Sequence, residues 1–224
     1  MNEKTDARLA GFLFLWLIVA GIGGMFLMTV VTRGGTFAEK AQRITEWEHV
    51  YRTALVIELS ASMSAVLLAF VLYVMLRPVG ELLARFAMYW RFGEAIIGTI
   101  GVLAGFVKLR LYLSGGEASL ELVRFASSTT VLVSATFFSI GSALFYRLFA
   151  RSQYLPRALS QFGVFASVVV TAGCLTRLIA PELGSPLVWI TWLPMAIAEV
   201  ATGVWLIAAT REVTVVNRTT AAAM

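Results

Sequence analysis

Two ionisable side chains, Arg91 and Glu94, lie three residues apart within the otherwise apolar segment 86–106. At this spacing both side chains share one face of a helix and can pair with each other. Glu58 and Glu199 lie in two other apolar segments. Because ionised groups in hydrocarbon are costly unless they pair or face water, the four residues are candidates for one buried polar cluster. Such a cluster would bind a ligand headgroup or relay a proton, or it would only fix the register of the helices.

Residues of the types that enzymes and metal centres require are scarce. His49 is the only histidine and Cys174 the only cysteine, so this chain cannot supply two haem histidines, a disulfide or a thiolate metal site. Glu46 and His49 have the spacing of one half of a di-iron motif, but that motif is used as a pair. We therefore expect a non-enzymatic protein with no catalytic residue, no metal site and no identifiable cofactor; bound lipid stays open.

The composition is typical of a protein that crosses a membrane several times. Hydrophobic residues make up 59% of the chain and charged residues 14%, whereas a soluble domain has about 25% charged residues. The net charge of +5 is spread along the chain, as expected of basic residues that mark helix ends beside anionic lipid. We therefore expect membrane lipids as partners and no nucleic acid.

Apolar runs of about 20 residues, the length that crosses a hydrocarbon core of about 30 Å, recur along the chain. They predict an all-α protein in which residues 1–224 form one domain of six transmembrane helices. Short connections favour antiparallel packing of neighbouring helices. The predicted spans are about 9–31, 53–76, 83–107, 122–148, 155–180 and 187–209, the last closed by Arg211.

The connection after the first span predicts a short amphipathic helix at about 36–50. Thr36 and Glu39 have the spacing of a capping box, and apolar residues then recur every three to four positions. We expect this helix to lie in the headgroup layer of the membrane, with Trp47 as its anchor. The alternative is an ordinary helix in an extramembrane loop.

Small residues in the third span predict close helix packing. Gly101 and Gly105 form a G-x-x-x-G motif, and Gly98 lies on nearly the same face. Such faces let two helices approach closely. We therefore expect the third span to lie centrally in the bundle.

The distribution of basic residues favours one orientation. The hairpins at 77–85 and 147–157 carry five basic residues against one acid, Glu81. Because cytoplasmic loops are enriched in lysine and arginine, we expect both termini to lie in the cytoplasm. Over the whole chain the basic residues are almost evenly divided between the two sides.

Several stretches resemble, in order, the motifs of a bacterial and archaeal membrane family labelled domain of unknown function 4386. They are "ARLAGFLFLWLIVAGI" (7–22), residues 51–79, "WRFGEAII" (90–97), residues 144–168 and "PMAIAEVATGVWLIA" (194–208). The resemblance singles out Arg52, Arg91, Glu94, Tyr154, Pro156, Glu199 and Trp205. It implies a multi-pass protein of the cytoplasmic (inner) membrane of a prokaryote, and it implies no activity or cofactor.

The leading hypothesis for function is an accessory or assembly subunit that docks by helix packing, as a homo-oligomer or in a larger membrane complex. The alternative is a binder or carrier of a lipophilic or small anionic ligand, which would use Arg91, Glu94, Glu58 and Glu199. A membrane enzyme is the least favoured class, because the histidine, cysteine and metal motifs are missing.

Overall fold

The computed structural model describes residues 3–208, except for the side chains of residue 3 and of residues 183–189. Every regular element in this range is helical, which confirms the predicted all-α class. The elements are α1 (Glu3–Thr32), α2 (Phe37–Glu46), α3 (Glu48–Ser114), α4 (Glu117–Phe149), α5 (Arg157–Ile179), a 3-10 turn (Pro181–Leu183) and α6 (Gly184–Ala208). The predicted end of the sixth span at residue 209, and Arg211 beyond it, lie outside the described residues.

Five of the described helices are long and apolar enough to cross a membrane: α1, α3, α4, α5 and the part of α6 from Ile190. Their outer surfaces carry large apolar side chains. Leu122, Phe125 and Ile179 are 72%, 68% and 84% exposed. Soluble monomers rarely present contiguous apolar surfaces of this kind, so the outer faces of the helices fit lipid tails.

The 67-residue α3 is broken at Gly80, which has an extended backbone with φ −179° and ψ 88°. Pro78, two residues earlier, lacks the N–H that would continue the helical hydrogen bonds, and its ring crowds the preceding turn. The break leaves two helical arms, residues 48–79 and 81–114. The apolar pattern predicted an interruption between residues 76 and 83, and the break falls in that interval.

The two arms of α3 pack against each other in antiparallel register. The Tyr51 hydroxyl donates a hydrogen bond of 3.3 Å to the Gly105 carbonyl. A Cβ added to Gly98 would lie 3.2 Å from the Ser62 hydroxyl oxygen. A straight helix of this length would extend about 100 Å, and these contacts require it to turn back instead.

The helices form a closed sequence of neighbours. α3 packs against α1 and α4, α5 packs against α4 and α6, and α6 packs against α1. Where α1 meets α6, a Cβ on Gly11 would lie 2.6 Å from the Gly203 carbonyl oxygen. Only glycine allows two backbones to come this close. The ring of helices surrounds a buried core that includes Leu68, Leu72 and Phe145.

The short helix α2 begins at the predicted capping box. The Thr36 hydroxyl accepts from the Glu39 N–H at 3.3 Å, and the Thr36 N–H donates to the Glu39 carboxylate at 2.9 Å. The apolar side of α2 contacts the bundle: Ile44 is fully buried and Phe37 stacks on Tyr112 with 5.5 Å between ring centroids. The apolar side of α2 therefore packs on the bundle, and a position in the headgroup layer stays a prediction.

Trp47, the predicted anchor, is 49% exposed and stacks against His49 at 6.4 Å. It directly follows α2 and precedes α3. Its indole therefore marks the junction of the two helices, on the same end of the bundle as the end of α1.

Candidate functional site

Arg91 is buried in the middle of the bundle, with 2% of its surface exposed. Its Nη1 lies 2.9 Å from Glu94 Oε2 and donates to the Ser142 hydroxyl at 3.5 Å. The guanidinium lies over the Phe138 ring, 4.5 Å from its centroid, an arrangement in which the ring's negative face attracts the cation. Ser142 and Phe138 both lie on α4, so this helix supplies a polar and an aromatic contact to Arg91.

A small residue on α4 makes room for the arginine. A Cβ on Gly141 would lie 2.9 Å from Arg91 Cγ, so any side chain there would push the arginine out of place. Gly141 and Ser142 together form the surface on which the Arg91 side chain lies. Arg91 lies about 16 Å along its arm from the Gly80 turn, at 1.5 Å per residue.

Glu94 pairs with Arg91 but is incompletely satisfied. Its side chain is 18% exposed, and its Oε2 has no partner with hydrogen-bond geometry in the described part of the chain. The contact with Arg91 is therefore an ion pair at short distance without a directed hydrogen bond. The backbone is held separately, because the Ser134 hydroxyl donates to the Glu94 carbonyl at 3.0 Å.

Glu199 brings a second carboxyl to the cluster from α6. It interacts electrostatically with both Arg91 and Glu94. One helical turn further on, the Thr202 hydroxyl lies 3.1 Å from the Tyr146 hydroxyl, and both of these residues are buried. The Arg91 cluster, meaning Arg91, Glu94, Glu199 and Tyr146, thus joins α3, α4 and α6.

A small cavity lies beside the arginine. It is lined by Phe14, Leu68, Leu72, Arg91, Ser142, Phe145, Tyr146 and Phe149. Its volume, taken as the space open to the centre of a water molecule, is about 10 Å³. This is close to the smallest volume that holds one water. Its walls contain a guanidinium and two hydroxyls, so a single water would find polar partners there. A ligand headgroup would not fit without rearrangement of the surrounding side chains.

Glu58 lies apart from the Arg91 cluster, on the other half of the bundle. It interacts electrostatically with Lys108 on the second arm of α3, and its Cγ lies 3.3 Å from the position of a Cβ on Gly24. Nearby, Arg124 hydrogen-bonds to Tyr112. The structure therefore brings together three of the four predicted cluster residues and places the fourth near a different cation.

The positions singled out by the family resemblance have structural contacts at the helix ends. Arg52 pairs with Glu48 one turn earlier, at 2.6 Å. The Trp205 indole N–H donates to the Tyr154 carbonyl at 3.1 Å, which ties the α4–α5 connection to α6. Pro156 is the residue before α5, and its carbonyl accepts from the Ser160 N–H at 3.0 Å.

The three packing glycines have different surroundings. A Cβ on Gly105 would lie 2.4 Å from Leu55 Cδ2, whereas one on Gly101 would be 3.7 Å from its nearest neighbour, Thr130. Gly98 is intermediate, at 3.2 Å from Ser62. Gly105 is thus the member of the motif at which two helices come closest.

Phe138, Tyr146 and Thr202 contribute to the contacts around Arg91 and Glu199, although their positions in the sequence do not mark them as site residues. A signal was present: Phe138, Ser142 and Tyr146 are four residues apart on α4 and so share one helix face. Aromatic residues at this spacing are common in any buried helix. The pattern becomes informative only when Arg91 is placed opposite it.

These helices, with buried ionisable groups and lipid-compatible outer faces, define a helical-bundle membrane protein. The chain belongs to the family described as Domain of unknown function (DUF4386), whose model matches residues 9–209. Comparison with curated proteins and comparison with solved structures gave no match. No group of three or more histidine, cysteine, aspartate or glutamate residues able to hold a metal ion occurs in the part of the chain that the structure describes.

Proposed function

We propose that the protein is a non-enzymatic accessory or assembly subunit of the cytoplasmic membrane that docks with other membrane helices. The observation that carries this proposal is the filled interior at Arg91. The guanidinium is 2% exposed, it is paired and stacked by the chain's own side chains, and the adjoining cavity has room for about one water. Because this interior site has no room for a ligand headgroup, it supports a role in which the protein acts through its outer surface.

The proposed arrangement has six spans, with each arm of α3 crossing the membrane once. Each arm has more than 30 residues and therefore reaches about 45 Å or more at 1.5 Å per residue, enough for a hydrocarbon core of about 30 Å. The antiparallel contact between Tyr51 and Gly105 supports a hairpin whose turn emerges on one side. Both termini then lie on that side.

The basic residues near the Gly80 turn support a cytoplasmic position for this side. A Cβ on Gly80 would lie 3.2 Å from Leu148 Cδ2, so the turn lies against the end of α4. This contact gathers the arginines of the two hairpins at one end of the bundle. They are Arg77, Arg85, Arg147, Arg151 and Arg157, all exposed. Anionic headgroups of the cytoplasmic leaflet attract such segments.

The second half of α1 is the surface on which docking is proposed. Gly21 is exposed, and a Cβ placed on it would meet nothing within 4 Å. Its neighbours Ile22 and Met25 are 60% and 58% exposed. Gly11 and Gly203, by contrast, are already used in packing within the chain. Because Gly21 has no side chain on this apolar face, a second helix could pack closely against it.

The test is the mass of the particle that is extracted gently into nanodiscs, read by native mass spectrometry. Wild type should exceed one chain of 24.4 kDa, with further copies or another chain attached. Gly21→Leu should place a bulky side chain on this face and lower the association constant at least about tenfold, the effect of about 1.4 kcal/mol, so that the assembled fraction falls. Val168→Leu, at a 57% exposed site on α5, is the matched control and should assemble as wild type does.

A wild-type particle that is always a single chain would contradict this proposal. If that single chain retained a lipid or a metabolite, and Arg91→Ala lost it while remaining folded, the alternative function as a binder or carrier would be favoured. The buried cation beside a small cavity is the observation that supports this alternative.

A further inference from the structure

The two hairpins at the Gly80 end of the bundle carry positive charges that they do not neutralise themselves. Four exposed arginine side chains there make no ion pair and no hydrogen bond with any residue that the structure describes: Arg77, Arg147, Arg151 and Arg157. Arg85 differs from them, because it pairs with Glu81, the only acidic residue of the two hairpins. The four unpaired charges are therefore available to an external anion.

Two of these arginines lie one helical turn apart at the end of α4. The turn continues past the last residue of the helix, because the Arg151 N–H donates to the Leu148 carbonyl at 3.0 Å. Arg147 and Arg151 thus share one face, where two like charges repel each other. Arg157 begins α5 shortly afterwards. An anion that contacts these guanidinium groups would relieve the repulsion between them.

The backbone that carries these arginines is held against the bundle. Leu148 is fully buried and lies against the Gly80 turn. Leu155, in the α4–α5 connection, is 5% exposed, and the Trp205 indole N–H donates to the Tyr154 carbonyl in the same connection. The hairpins therefore keep their positions without a ligand, and binding would have to order only the arginine side chains. This lowers the entropic cost of binding.

Large exposed side chains continue from this end along the side of the bundle. Leu82, Phe86 and Tyr89 recur at helical spacing on the second arm of α3 and are 81%, 53% and 58% exposed. This face begins next to the Gly80 turn and extends about 10 Å along the helix, at 1.5 Å per residue. A phospholipid has the same two parts, a charged headgroup and apolar chains. A free anion or an acidic protein would need only the arginines.

We propose that the Gly80 end of the bundle is a binding site for an anionic phospholipid, whose phosphate is held by Arg147, Arg151 and Arg157. A guanidinium group binds a phosphate through two parallel hydrogen bonds, and these three side chains have no other described partner to give up. Arg77 adds to the positive field from the neighbouring hairpin. The acyl chains then lie along the exposed apolar surface below the headgroup.

This site goes beyond the docking role proposed above, because it names a lipid and does not involve α1 or Gly21. It also differs from the general attraction of basic segments to an anionic leaflet, which would act on all five arginines of the hairpins alike. At a specific site, the unpaired arginines bind the lipid, whereas Arg85, neutralised by Glu81, adds little.

The experiment uses the full chain in nanodiscs made of equal amounts of phosphatidylglycerol and phosphatidylcholine. Both lipids carry a phosphate, but only the first has a net negative charge. The protein is extracted gently into detergent, and mass spectrometry measures the ratio of the two lipids that stay bound. Wild type should be enriched in phosphatidylglycerol. Arg147→Gln combined with Arg151→Gln should lower the ratio at least about fivefold, the effect of one arginine near an anionic surface.

Two control variants separate the site from net charge. Arg33→Gln combined with Arg110→Gln removes two charges from exposed positions at the opposite end of the bundle. Glu81→Gln combined with Arg85→Gln removes the paired charges of the first hairpin and leaves the net charge unchanged. Both controls should keep the wild-type ratio.

Equal retention of the two lipids by wild type would overturn the proposal. An unchanged ratio in the variant of Arg147 and Arg151 would do so too, as would an equal loss in the control at the opposite end. Displacement of the lipid by millimolar inorganic phosphate would show a small-anion site instead. A protein chain lost from the variant, without any lipid preference in wild type, would assign the arginines to an acidic protein partner. Thermal unfolding establishes that each variant is folded, and Arg157→Gln decides the proposal if the double variant is not.

Discussion

At the scale of single residues, the two glycines of the G-x-x-x-G motif in α3 have different surroundings. Gly101 and Gly105 are one helical turn apart in G-x-x-x-G, and the spacing alone treats them as equivalent. The structure separates them, because Leu55 packs directly on Gly105 whereas the space at Gly101 is open enough for a methyl group. Leu55 is itself 1% exposed, so neighbouring side chains enclose it and would have to shift with it.

We predict that Gly105→Ala destabilises the protein by about 1–3 kcal/mol, the usual cost of adding a methyl group to a filled core. Gly101→Ala is the matched control on the same helix. It should be neutral or stabilising by up to about 1 kcal/mol, because alanine favours a helix more than glycine does. Thermal unfolding of the detergent-solubilised variants measures both changes. Equal effects of the two substitutions would contradict the packing assigned to Gly105.

At the scale of elements, the local sequence predicted where α2 begins but not the surface on which its apolar face packs. The capping box of Thr36 and Glu39 is defined by four consecutive residues, and it forms as the spacing indicates. An apolar helix face, however, fits lipid and protein equally well. Only the folded chain shows that Ile44 and Phe37 contact the bundle. Composition alone therefore could not decide between an interfacial helix and a loop helix.

We predict that Thr36→Ala lowers the free energy of local unfolding of α2 by about 0.5–2 kcal/mol, the typical value of an N-cap side chain. The bundle should not lose comparable stability. Hydrogen–deuterium exchange should rise across residues 37–46 and stay unchanged in α4 and α5. Thr45→Ala is the control, because its hydroxyl bonds only to the Ala41 carbonyl within the same helix. Faster exchange throughout the chain would instead mean that α2 is required for the whole fold.

At the scale of the whole molecule, the positions of the long apolar helices follow from composition, but the grouping of buried charges does not. The spacing of Arg91 and Glu94 predicted their pairing, since it depends on one helix only. Whether Glu58 or Glu199 joins them depends on which helices are neighbours at which depth. The antiparallel register of α3 places Glu58 near Lys108 instead, and the approach of α6 to α4 at Thr202 and Tyr146 brings in Glu199.

The same register decides how many times the chain crosses the membrane, and cysteine labelling can test it. We predict that Thr45→Cys and Ser114→Cys, which lie just before α3 and at its last residue, react with a membrane-impermeant maleimide from the same side. Leu82 lies next to the Gly80 turn and is 81% exposed. Leu82→Cys should therefore react only from the opposite, cytoplasmic side. The native Cys174 is buried and provides a low background. If α3 crossed the membrane once, positions 45 and 114 would label from opposite sides. That result would overturn the six-span arrangement, because a hairpin returns its two ends to one surface whatever the orientation of the protein.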